Sequence, residues 1–458
     1  ALPKLKLWAE AVPSAGTIGL YLEALIALGR RKEAIQALEA AISAKTDTAD
    51  MCDVLAFFAV QLDKHEVSNE LYRRTVDLRP DNAQFWYNFA TSERSLGRMS
   101  SALTACKRAI SIDPQMRPAV LLRSELARAS PQSNNVADLR RRIASDPDGP
   151  DAMFLSYAIG KELHELGEFN DAFKAFESGA RNRRNSLRYD VATDEEKMRR
   201  IVLAFDAPPP HQVHREIGRH IFVVGMPRSG TTVTERILSG LPNARSNNET
   251  NNFSSALLRN LPAGEGDLFA RAARADFAAV ATDYDELAGG NEYRGSIIEK
   301  LPFNYLYVGP ILQAFPNSPI VWVRRNPIDS CFAMYRTLFG AAYPFSYDFY
   351  ELARYYAAYE RLMNHWIKVF GERIIFVEYE KLVTEPRTVG AWLANRCGLT
   401  WSDEALDIAR NSTASLTASA TQVREGIYTT SSGIWRKYGQ HLEPLKNMLL
   451  EQGVKLDS

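Results

Sequence analysis

The sequence is poor in the residues that build disulfide frameworks and metal centres. Its four cysteines, Cys52, Cys106, Cys331 and Cys397, include no C-x-x-C pair. That excludes a thiolate zinc site of the usual spacing and a disulfide-stapled fold, and it suits a reducing compartment. The seven histidines are scattered. The nearest pair, His211 and His214, lies in a proline-rich stretch rather than in H-E-x-x-H, so no metal is expected. An excess of charge is also missing, because 55 Lys and Arg balance 55 Asp and Glu. Nucleic acid and an anionic membrane therefore have no bulk electrostatic claim on the chain, and any basic site must be local. No apolar run approaches the ~20 residues of a membrane span, and no signal-peptide pattern opens at Ala1. The expectation is a cytoplasmic protein, and its 458 residues call for two or more domains.

What the sequence does have is a repeat. Pro80 in "LRPDN" and Pro114 in "IDPQM" stand one 34-residue period apart, and each closes a pair of amphipathic helical patterns, which is the tetratricopeptide period. Trp86, Phe89, Ala90, Gly97, Ala102, Cys106 and Ala109 take the large, small and turn positions that let two antiparallel helices pack closely. Cys52, Leu55, Ala56, Ser68 and Tyr72 do the same one period earlier. A first copy carries Gly29 and Ala34; a late one carries Gly160, Gly167, Ala172 and Phe176. Residues 117–150, punctuated by Ser130-Pro131 and "DPDGP", read as a degenerate copy whose neighbours share the core. About five repeats are expected over 1–186. Such an array serves either as a scaffold or self-association surface or as a peptide-capturing face. The basic run "RNRRNSLRYD" at its end is either a solvated face or the rim of an anion site. Residues 187–217, with three successive prolines in "DAPPPHQVHR", read as a linker.

From 218 to 458 the pattern changes to short β-branched and aromatic runs, "HIFVVG", "SIIEK", "PIVWVRR" and "RIIFVEYE", interleaved with helical stretches. This is how an α/β domain with a central parallel sheet and crossover helices reads, and function is expected at the strand ends. Two stretches there carry anion chemistry. In "VVGMPRSGTT" Gly225 and Gly230 have P-loop spacing, but Thr231 stands where the lysine of G-x-x-x-x-G-K-[ST] belongs. The helix that begins near Thr231 would offer its N-terminus to an anion. In "PIVWVRRNPIDS" a strand ends in Arg324 and Arg325, followed by Pro327 at a helix start.

Taken together, "MPRSGTT" resembles the 5′-phosphosulfate loop of sulfotransferases, and "RRNPIDSCFAMYR" resembles their 3′-phosphate motif, R-[DN]-P-x-D-x-x-x-S. The stretch between them is similar to the branch containing tyrosylprotein sulfotransferases and bacterial proteins in which tetratricopeptide repeats precede the catalytic domain. The resemblance implies 3′-phosphoadenosine 5′-phosphosulfate (PAPS) as donor, with no metal. Such a nucleotide has no β/γ-phosphate pair for a P-loop lysine to bridge, which fits Thr231.

The resemblance also implies roles. Glu249, in "RSNNETNNF", is the candidate base, with Thr250 behind it and Asn251 where the family often has arginine. Lys300 in "EKLPF" matches the K-x-P-F lysine and, with Arg228, would hold the charge developing on the leaving phosphate. Glu299, the rival base, would point away from Lys300 on an alternating strand. Arg228, Ser229, Gly230, Thr231 and Thr232 would hold the phosphosulfate, and Arg325 the 3′-phosphate. The motif serine is Ala333 here, so Ser330 or a backbone group takes its place. Tyr379 would lie near the adenine. Lys437 would sit on a C-terminal loop closing over the 3′-phosphate, with Arg424 and Gly433 as weaker neighbours and 417–433 as a lid.

The expected reaction is sulfuryl transfer to an acceptor hydroxyl, first of all a peptide or protein tyrosine that the repeats help to present. The same chemistry on a carbohydrate, lipid or phenolic metabolite is the alternative. A P-loop kinase or NTPase and a non-enzymatic repeat adaptor rank lower. Phe253, Tyr305, Tyr335 and Phe339 either line an aromatic pocket or pack the core. For a phenol of pKa near 10 and a carboxylate near 4.3, full prior deprotonation would be uphill by about 8 kcal/mol. The proton is therefore expected to move as the new bond forms.

Overall fold

The computed structural model describes residues 2–44, 48–147, 149, 151–208, 217–290, 293–408, 426–427 and 431–456. It divides into two compact units, one running to Arg128 and the other starting at Ala129.

The first unit is helical. Its pairs Ala15–Ala27 with Arg31–Ser43, Ala49–Gln61 with His65–Leu78, and Ala83–Ser95 with Met99–Ile112 follow the repeat, and Arg117–Leu126 begins the next. Small side chains at the crossings allow close packing: Ala56, Ala90, Ala102 and Cys106 are fully buried. The turn inside each pair needs a left-handed residue. Gly29 (φ 65°) and Gly97 (φ 80°) supply it, and Asp63 (φ 58°) fills the slot between them. One period further the slot is Pro131, whose ring fixes φ near −65°. That copy instead turns through a Ser130–Ser133 bridge into the helix Val136–Ala144, which explains why it reads as degenerate.

The second unit holds the last helical pair, Ala152–Leu166 and Phe169–Asn185, together with a five-stranded sheet. This pair crosses closely because a Cβ on Gly160 would meet the Phe176 ring at 2.6 Å. The stretch expected as a linker contains the helix Val191–Ala204, capped by the Asp190 side chain on Ala192 N. Its apolar residues are widely spaced among charges, which hides the helix from a periodicity reading. Val191, Met198 and Ile201 are nevertheless buried, and Glu195 pairs with Arg354. His211 and His214 lie outside the described residues.

The strands are β1 (His220–Val224), β2 (Ala244–Ser246), β3 (Ser296–Lys300), β4 (Ile320–Arg324) and β5 (Ile374–Glu378), in the order β2-β3-β1-β4-β5. All neighbours are parallel. Every residue of β1 is buried, as a strand covered by helices on both faces requires. One face packs Ile221, Val223, Ile298, Val321 and Val377 against Ile237, Leu382 and Leu393. The long helix Phe349–Phe370 covers sheet residues through its tyrosines; Trp322 Nε1, for instance, donates to Tyr359 Oη at 2.5 Å. β2, short and polar, has no apolar run to announce it. Among the described residues no helix is long and apolar enough to cross a membrane.

Candidate active site

Register brings the anion motifs together. Lys300, the last residue of β3, lies opposite Val223 of β1, two residues before Gly225, and Val224 lies opposite Trp322 of β4. The turns after β1, β3 and β4 therefore leave the sheet side by side at its C-terminal edge, where open α/β sheets bind ligands.

The turn after β1 is tight. A Cβ on Gly225 would stand 2.5 Å from Val323 O, and one on Gly230 would stand 2.1 Å from the Tyr379 ring. Gly230 (φ 101°) and Arg228 (φ 67°) are both left-handed. They curl the chain into the helix Thr231–Ser239, whose first two residues are buried. Ser229 is buried too, and its hydroxyl has no hydrogen-bond partner among the described residues.

Arg325, also buried, donates through Nη1 to Arg228 O at 3.1 Å and through Nη2 to Ser431 O, and its guanidinium lies 5.2 Å from the centre of the Tyr379 ring. Tyr379 Oη is 2.7 Å from Ser431 Oγ. Among the described residues the Arg325 Nε and the buried Ser330 hydroxyl have no hydrogen-bond partner. Asn326 caps the helix Pro327–Tyr335, accepting from Ile328 N and Asp329 N. Asp329, which sequence reasoning left without a role although it is the motif aspartate, accepts from Gly433 N at 2.6 Å and Trp435 N at 3.1 Å and lies 3.8 Å from Arg325. It ties the C-terminal segment to the anion turn.

Arg324, expected beside Arg325 at the sheet mouth, goes elsewhere: it donates to Glu360 at 2.8 Å and to Lys455 O at 3.0 Å. Alternation along the strand sends neighbouring side chains to opposite faces. Lys437 lies beside the last helical pair. It is exposed, with its ammonium 5.6 Å from the Phe169 ring centre. Arg424 and residues 417–425 and 428–430 of the expected lid lie outside the described residues.

Glu249 is delivered by β2. Ser246 pairs opposite Ile298, Asn247 N donates to Ile298 O at 2.9 Å, and Asn248 (φ 59°) turns back onto Ser246 Oγ at 2.8 Å. The carboxylate then accepts from Lys300 Nζ. Lys300 is 1% exposed and also sits 3.6 Å from the buried Glu235, itself hydrogen-bonded by Ser246. Glu235 is the partner that sequence reasoning missed, since a helix interior glutamate carries no motif. Glu299 faces the other way, wholly buried, with Tyr284 Oη donating at 2.7 Å and Asn304 Nδ2 at 3.3 Å. Complete burial pushes its carboxyl up to about 7, against the pull of those hydrogen bonds. Phe253, Tyr305 and Tyr335 are core: Phe253 packs on Phe222, Tyr305 hydrogen-bonds Tyr355, and Tyr335 packs on Phe349. Among the described residues no cluster of His, Cys, Asp and Glu could hold a metal ion.

Residues 220–403 match the model of the sulfotransferase family, and residues 17–48 and 83–116 match that of the tetratricopeptide repeat. The chain therefore carries a sulfotransferase-family domain preceded by tetratricopeptide repeats. It is similar to an uncharacterized protein of Aquifex aeolicus (strain VF5), 29% identical over 321 residues, covering 66% of this chain. The chain spans 42% of that relative's length. Among solved structures it is similar to the sulfotransferase domain from the curacin biosynthetic pathway (18% identity, 53% of this chain and 100% of that one, TM-score 0.39). It is also similar to the sulfotransferase domain from the Synechococcus PCC 7002 olefin synthase (17%, 54% and 99%, TM-score 0.39). A third is a sulfotransferase from Alicyclobacillus acidocaldarius (20%, 53% and 98%, TM-score 0.30).

Proposed function

We propose that the protein transfers a sulfuryl group from PAPS to an acceptor hydroxyl, and that the acceptor is a tyrosine of a peptide or protein. The observation that carries the reading is the pairing of Glu249 with Lys300 at the strand edge where Ser229, Ser330 and Arg325 keep buried polar atoms without partners among the described residues. Buried donors left unpaired are costly, and an anion bonded to all three would remove that cost. The residues thus fit a nucleotide with phosphates at both ends. Arg228, Ser229, Gly230, Thr231 and Thr232 would hold its phosphosulfate; Arg325, Ser330 and Tyr379 would hold its 3′-phosphate side, with Lys437 joining if the C-terminal segment closes.

When bound, PAPS supplies the sulfuryl group. Glu249 receives the acceptor proton, and Lys300, bonded to it, fixes its orientation and brings positive charge to the leaving side, which Arg228 shares. The repeats supply a surface for protein partners. The cysteines, all buried and free, suit a cytoplasmic location.

Sulfur-labelled PAPS incubated with the protein and a lysate of its own organism tests the acceptor. Label recovered in protein as tyrosine O-sulfate is the expected result. Label confined to a glycan, a lipid or a small phenol would contradict the protein acceptor, and no transfer at all would contradict the reaction.

A further inference from the structure

The helix Pro327–Tyr335 is followed by residues 336–348, which lead into the long helix. This crossing is held at three points. Tyr347 Oη accepts from Phe339 N at 2.8 Å and donates to Phe339 O at 2.7 Å. Tyr157 Oη donates to Tyr335 O at 2.9 Å, and Arg183 donates to Gly340 O. Two of the anchors thus belong to the last helical pair of the repeats, so that pair shapes the crossing directly.

Held this way, Tyr343 takes a left-handed conformation, φ 57° and ψ 51°. For a bulky side chain this conformation is strained and persists only where the surroundings impose it. Its ring packs edge-on against Phe303 at 4.9 Å and Phe339 at 4.7 Å. Phe303 lies three residues beyond Lys300, the partner of Glu249. Burial, and then the nearby charge of Glu249, pushes the Tyr343 hydroxyl above the ordinary phenol range and keeps it protonated. Phe253, Tyr305, Tyr335 and Phe339 are buried, whereas Phe303 and Tyr343 are only half-buried, with Phe339 packed behind Tyr343. Beside them Gly340, Ala341 and Ala342 are small and exposed, which leaves room for an acceptor carried on a larger molecule.

We propose that Phe303 and Tyr343, backed by the buried Phe339, form the wall against which the acceptor lies, and that Tyr343 selects a hydroxyl carried on an aromatic ring over one carried on a sugar. The inference rests on Glu249 being the base of the reaction proposed above. Aromatic pairs gain attraction beyond the area they bury. A sugar needs several polar partners, and a wall of two rings with one hydroxyl is poor in them.

The test is equilibrium binding of 2-naphthol and of myo-inositol to the full chain, followed by fluorescence and calorimetry, with PAP titrated separately. The intact protein is expected to bind 2-naphthol in preference to inositol. Tyr343→Ala is expected to weaken 2-naphthol about tenfold while leaving PAP affinity unchanged. Tyr343→Gly, which also relieves the left-handed strain, should do the same, and Tyr343→Phe should hold within about twofold because the ring carries the contact. Unchanged 2-naphthol affinity in the Ala and Gly variants, or a preference of the intact protein for inositol, would overturn the inference. Absence of PAP binding would instead count against the nucleotide reading, and the naphthol comparison would still decide this one.

Discussion

The unit that ends at Arg128 and the unit that holds the sheet bury different things. In the first, the tightest positions are mostly alanine and leucine, with Cys106, Val120, Ser68 and Thr75, and Glu93 is the one charged side chain in its described core. In the second, Glu235, Arg236, Glu299, Lys300, Arg325 and Asp329 are all buried. Four of these cluster near the strand ends that carry the family motifs. Burying charge costs stability unless it is paired. The first unit spends its sequence on close packing, whereas the second holds costly groups in place. That contrast separates a scaffold from a site more sharply than either motif alone.

The comparison can be broken most severely at Lys300. Lys300→Ala leaves Glu235 and Glu249 without their shared cation, and an unmatched buried charge costs about 3–5 kcal/mol. Chemical denaturation should show that loss, and turnover should vanish with it. A smaller and more selective effect is expected in the repeats. Ala102 is fully buried where two helices cross, so Ala102→Leu should cost about 1–3 kcal/mol by overpacking while PAP affinity, read by calorimetry, stays unchanged. If PAP binding falls equally, the two units are not separable in the way the contrast implies.

The smallest effect concerns Glu299, whose carboxyl burial raises from 4.5 to about 7 in the folded chain. The sign follows from proton binding: between those values the folded state keeps a proton that the unfolded state gives up, so stability is greatest below 4.5 and is lost as pH rises through 7. Glu299→Gln should flatten this dependence, raising the midpoint at pH 8 relative to the parent by about 2–4 °C with little change at pH 4.5. Melting curves at the two pH values check it.

Much of this was legible in the sequence because periodicity and motif spacing are local. The repeat period, the four short β-branched and aromatic runs that became β1, β3, β4 and β5, and the glycine turn could all be read from neighbouring residues. The edge strand β2 could not, since Ala244–Ser246 has no apolar run, and the helix Val191–Ala204 hides its stripe among charges. Glu235 and Tyr343 escaped for a different reason. Their roles depend on who faces them across the fold: Lys300 from strand β3 in one case, and Phe303 together with a backbone fixed by Arg183 in the other. Alternation along β3 did separate Glu299 from Lys300 correctly, and the same rule applied to Arg324 and Arg325 would have sent Arg324 toward Glu360.

The central claim is that Glu249, held by Lys300 beside an anion turn, performs proton transfer in sulfuryl transfer. The most direct measurement compares the parent chain with Glu249→Gln, following PAP binding by calorimetry and sulfuryl transfer from labelled PAPS to a tyrosine-containing peptide. Turnover is predicted to fall about 10²–10⁴-fold while PAP affinity is preserved. Normal turnover in the variant would contradict the assignment.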